Sequence, residues 1–120
     1  MLLTRSVRSV FPFVALSLVA VMAVPVTAAA RDAAQVKKGE AVYTAQKCSM
    51  CHQIAGKGNK LSPLDGVGKL SAAEIKEWIV DPDAAAKKHN STKKPAMPKT
   101  FAKLPPADVD ALVAYLQTLK

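Results

Sequence analysis

Large apolar side chains are scarce in this chain of 120 residues: aromatics make up 5%, with one tryptophan, two tyrosines and three phenylalanines. That excludes a core built on stacked rings, and the length excludes a multidomain enzyme. Cysteine is almost missing too. Cys48 and Cys51 are the only two, separated by two residues, so the multi-disulfide framework of many small exported domains is not available, and a bridge closing so short a loop would restrain little. Acids are the minority charge, with 9 Asp and Glu against 17 Lys and Arg, a net charge of +8. No groove-reading element accompanies that basic excess, so nucleic acid is not implied.

A long apolar run is also lacking. Val10 to Val24 carries no charge but spans only about 15 residues, whereas crossing a hydrocarbon core roughly 30 Å thick takes about 20. Arg5 and Arg8 precede it, Pro12 and Pro25 interrupt its ends, and the small residues Val26-Thr27-Ala28-Ala29-Ala30 follow. This is the charged, apolar, small-residue order of a secretory signal peptide, residues 1–30, with cleavage after Ala30 and a second acceptable position after Ala28. An uncleaved tether is the alternative. Removal of the leader takes Arg5 and Arg8 with it and lowers the net charge from +8 to +6. The remaining domain, residues 31–120, has only Tyr43, Trp78, Phe101 and Tyr115 as aromatics, little with which to offset the entropy of ordering its backbone. Something else is expected to fill the core.

The domain reads as all-α, three to five helices with long loops. A first helix is expected from Asp32, as N-cap, to about Lys47, with Val36, Tyr43 and alanines on one face. Gly39 is costly there by roughly 0.5 to 1 kcal/mol relative to alanine, which close approach of another helix would explain. Gln53 to Lys69 carries too many glycines and prolines for regular structure and reads as a wrapping loop. Ser71 and Glu74 form a capping box for a helix over Ser71 to Val80, with Leu70 and Ile75 as a hydrophobic staple and Pro82 as its stop. Asp83 to Lys99 is a polar strap in which Ala84 to Lys88 adds at most a turn. Pro106 starts a last helix, whose Val109, Leu112, Val113, Leu116 and Leu119 share a face to the end of the chain. No strand pattern and no internal repeat is present.

Cys48-Ser49-Met50-Cys51-His52 carries the chemistry. Two cysteines at this spacing can form thioethers with the two vinyl groups on one edge of a haem, and the next residue, His52, is delivered to the iron. A covalently bound haem c would also supply the missing core. A surface disulfide, a redox dithiol and half of a zinc site compete with this reading. Zinc needs more soft ligands, and only His89 remains; a dithiol motif would want a strand-helix context near a parallel sheet. For the sixth iron position the candidates are Met97, held between Pro95 and Pro98; Met50, on the wrong side within the motif; His89, in a polar loop; and an open or lysine-bound iron. Met97 is preferred.

These residues make the domain resemble a bacterial class I monohaem cytochrome c, from Gly39 to Leu119. The resemblance implies that Gly39 and Tyr43 on the first helix cross Leu112-Val113-Ala114-Tyr115-Leu116 on the last. It implies that the Pro63 carbonyl accepts the second ring N–H of His52, fixing the imidazole, and that Trp78 lines the haem on its methionine side. Lys93-Lys94-Pro95-Ala96 departs from the family's usual Gly-Thr before the methionine, so propionate contacts are not carried over.

The expected function is transfer of single electrons through a His52/Met97-ligated haem in the periplasm. No nucleophile or acid-base pair suggests an enzyme. A haem subunit docked to an oxidase or dehydrogenase, and a gas-binding sensor lacking Met97 ligation, are the alternatives. The protein is expected to be a monomer with no membrane span after cleavage. Lys47, Lys57, Lys60, Lys69, Lys93, Lys94, Lys99 and Lys103 fall in segments expected to border the haem crevice and would steer redox partners with acidic docking surfaces, although solubility alone would also explain them.

Overall fold

Helix α1, Ala28–Ala45, packs across helix α4, Pro106–Leu116, in a computed structural model that describes residues 28–120. Gly39 lies where they cross. A Cβ there would run into the backbone carbonyl of Ala111 and lie 2.6 Å from Tyr115 Cβ, so only glycine lets the helices approach this closely. Just beyond the crossing the Tyr43 and Tyr115 rings meet at 5.8 Å, tilted by 59°. The expected leader lies, up to residue 27, outside the described residues. Asp32 falls inside α1, which is helical from Ala28, and is not an N-cap.

Helix α2, Ala72–Val80, leans on this pair and contributes Ile75 and Ile79 to a buried cluster with Val42, Tyr43, Val109, Leu112, Val113 and Leu116. Each large aliphatic side chain buried this way contributes about 1.5 to 3 kcal/mol. The capping box is formed in both directions: Ser71 Oγ accepts the Glu74 N–H at 3.3 Å, and a Glu74 carboxylate oxygen accepts the Ser71 N–H at 3.0 Å. Leu70 packs against the cluster that contains Ile75, as a staple requires.

Pro82 stops α2 by opening another helix. Asp81 closes α2 through its N–H to the Glu77 carbonyl, and its carboxylate accepts the Ala84 N–H at 3.3 Å, capping helix α3, Pro82–Lys88. The anticipated extra turn is thus a complete short helix. Pro106 is the first residue of α4 as expected, but the helix ends at Leu116, and the last residues turn so that Leu119 O accepts the Gly68 N–H at 2.8 Å.

The segment after the cysteine motif is not irregular throughout. Strand β1, His52–Ile54, pairs antiparallel with β2, Lys57–Gly58, and parallel with β3, Ser62–Pro63. These two- and three-residue strands are too short to leave an alternating pattern in the sequence, and the expectation of no strands is corrected here. Among the described residues, no helix is long and apolar enough to cross a membrane.

Candidate cofactor site

Where α1 ends, Lys47 takes up a left-handed conformation, φ 55°, which turns the chain back under the helix. A 3-10 turn, Cys48–Met50, follows, and the Cys51 N–H closes onto Cys48 O at 3.2 Å. Cys48 is left half-buried against the core cluster and Cys51 exposed, with no disulfide between them. Gly58 locks the motif from outside: its φ is 101°, and a Cβ there would collide with the His52 carbonyl. The next N–H, of Asn59, reaches Ser49 O at 3.0 Å and His52 O at 3.1 Å.

His52 Nδ1 lies 2.9 Å from Ser62 O. A carbonyl can only accept, so Nδ1 carries the proton and Nε2 keeps its lone pair for a metal. The carbonyl expected in this role was that of Pro63, and the register explains the correction. Ser62 pairs with His52 and sends its N–H to Cys51 O at 3.1 Å, so its main-chain edge faces β1. Successive strand residues turn their main-chain groups to opposite edges, which points Pro63 away; the next contact back is Leu64 N–H to Gln53 O at 2.8 Å.

Above this imidazole lies a cavity of about 470 Å³, within the range of small-molecule and cofactor pockets. Cys48, Cys51 and His52 form one part of its wall, Trp78 with Ile75 and Ile79 of α2 another, and Met97 comes from the strap between α3 and the 3-10 turn Lys99–Lys103. Leu112 and Leu116 close it from α4. Pro63 and His89 are not on the wall. Met50 is, although it is 68% exposed. Tyr43, Ser62 and Phe101 are wall residues that the sequence reading did not assign to the site. Phe101 could have been sought as one of only four aromatics in the domain, while Ser62 left no signal.

No carboxylate lines the cavity, whereas Lys47, Lys93 and Lys94 do and form no ion pair among the described residues. Lys99 is spoken for, with Asp83 at 2.8 Å, which raises the pKa of its ammonium. Burial pushes the Cys48 thiol up to about 11. A redox dithiol works through a stabilised thiolate, the opposite direction. Among the described residues no group of three His, Cys, Asp or Glu side chains is placed to hold a metal ion. His89 is exposed but has company: its ring stacks on Trp78, centroids 5.7 Å apart and 25° between planes.

The wall therefore suits a flat apolar group with a metal at its centre: two thiols on one edge, an oriented imidazole with a free nitrogen, a thioether at Met97 and aliphatic sides. No curated protein and no solved structure gives a significant match to the sequence. Over residues 36–120, which supply every wall residue, the sequence matches the Cytochrome c family model; the chain belongs to that family, whose covalently bound haem c supports a haem-based electron-transfer role.

Proposed function

We propose that the protein is an exported, periplasmic carrier of single electrons and not an enzyme, with haem c bonded through Cys48 and Cys51 and its iron held between His52 and Met97. The observation that carries this reading is that His52, with Nε2 free, and Met97 line the same apolar cavity. When bound, the haem would supply a one-electron iron couple whose potential depends on the residues that hold the iron and on burial. The residues of the chain do the rest. Ser62 holds the imidazole at one angle through Nδ1, Met97 offers a neutral sulfur that suits both oxidation states, and the aliphatic wall keeps water from reorganising around the site. Lys47, Lys93 and Lys94 at the wall favour approach of an acidic partner.

Met97→Ala should abolish the sulfur-to-iron absorption band of the oxidised protein and open the ferrous form to carbon monoxide, while Met50→Ala should do neither. The reverse result would assign the iron to Met50, and no change in either variant would exclude a methionine ligand. The reaction rate with an acidic redox partner should fall steeply as ionic strength rises. A salt-independent rate would remove the steering role of the lysines.

A further inference from the structure

Tyr43 is the one buried side chain among the described residues whose polar atom has no hydrogen-bond partner. The residue is 9% exposed, sits in the last turn of α1, and lines the cavity. A buried hydroxyl without a partner is destabilising, and native proteins rarely leave one unpaired. The pairing of the groups around it points to where its partner arises. Tyr115, whose ring packs on it, is outside the cavity, and its phenol is pushed up by burial first and by Glu40 second. The Nδ1 of His52 is already engaged with Ser62 O. Of the groups around it, Cys48 is the one whose bonding changes when a haem attaches: the left-handed turn at Lys47 brings it back under α1 against the same buried cluster, and it lines the cavity that Tyr43 also lines. Consistent with that proximity, the Tyr43 phenol is pushed up to about 12 by burial first and by Cys48 second.

We infer that the Tyr43 hydroxyl donates a hydrogen bond to the Cys48 sulfur once that sulfur is a haem thioether, and that it thereby tunes the reduction potential of the site. The inference rests on the reading that haem c is bonded to Cys48. A thiol carries its own proton and can donate as well as accept; a thioether has none and is an acceptor only. Attachment thus removes the competing S–H donor and leaves, on the wall that Tyr43 also lines, a sulfur that can only accept. With its proton aimed at a sulfur bonded to the macrocycle, the O–H dipole turns its positive end toward the group that gains the electron, and so favours the reduced state. Tyr43 is on this account a positioning and tuning residue, not an iron ligand.

The experiment uses the exported holoprotein, checked by its visible spectrum and mass for covalent haem; material without the adduct would defeat the haem reading itself, before Tyr43 is tested. Tyr43→Phe should shift the equilibrium with a fixed redox mediator about three- to tenfold toward the oxidised protein, tenfold corresponding to about 59 mV for one electron. Tyr115→Phe, the same loss of a hydroxyl outside the cavity, should leave the equilibrium unchanged. In the reduced wild-type protein, proton NMR should show a slowly exchanging Tyr43 hydroxyl with cross-peaks to the Cys48 β-protons, which needs no variant to fold. An equilibrium unchanged in Tyr43→Phe, a hydroxyl that exchanges freely with water, or cross-peaks placing it at another acceptor would each overturn the inference.

Discussion

Helices α1, α2 and α4 bury Val42, Ile75, Ile79, Val109, Leu112 and Leu116 against one another, whereas none of residues 52–71 or 89–105 is fully buried. The second group holds Ile54, Leu64, Val67, Leu70, Phe101 and Leu104, all only partly buried against the helical cluster, together with Met97 on the cavity wall. The helical half makes its core from its own side chains. In the loop half, Leu64, Val67, Leu70, Phe101 and Met97 also line the cavity. The scarcity of aromatics and the cysteine motif on the cavity wall fit the covalently bound haem c of the Cytochrome c family.

The contrast can be broken most sharply at the motif. Replacing both Cys48 and Cys51 by alanine should prevent covalent retention of haem and abolish the cooperative thermal transition followed by circular dichroism, because the loop half loses its packing partner. A variant that melts cooperatively near the wild-type temperature would show that the loops are self-sufficient. Within the helical half, Gly39→Val should cost about 3 kcal/mol in urea unfolding, since overpacking meets the Ala111 backbone rather than a side chain that can swing aside. Ser71→Ala should cost about 1 kcal/mol by removing the α2 cap.

The smallest effect is on pH. The Ser71 hydroxyl and backbone N–H hold the Glu74 carboxyl below the usual carboxylate range. The folded-state value is therefore lower than the unfolded one, so the stabilisation is fully present above the unfolded value, about 4.3, and is lost as pH falls through the lowered value. Glu74→Gln should flatten that part of the acid unfolding profile, and an unchanged profile would show that the exposed box adds nothing.

How legible each half was follows the range of its interactions. The helical half is written in local signals: Ser71 and Glu74, Pro82, Pro106, and Gly39, whose poor helix propensity made sense only as a crossing point. The cysteine motif is equally local, five consecutive residues with one chemical use. The loop half depends on contacts that no short window contains. The choice of Ser62 over Pro63 beside His52 follows from a parallel register between strands of two and three residues, and the stacking of His89 on Trp78 from the way α3 folds back on α2. Lys47 conceals its turn for another reason: a left-handed helix end is usually marked by glycine, and here a lysine fills it.

A haem bonded to the chain is the central claim, and the mass of the exported, denatured protein tests it most directly. Polypeptide plus one haem is expected, retained after denaturation because two thioether bonds hold it, with the visible spectrum of a low-spin haem before unfolding. A colourless protein of bare polypeptide mass would contradict it.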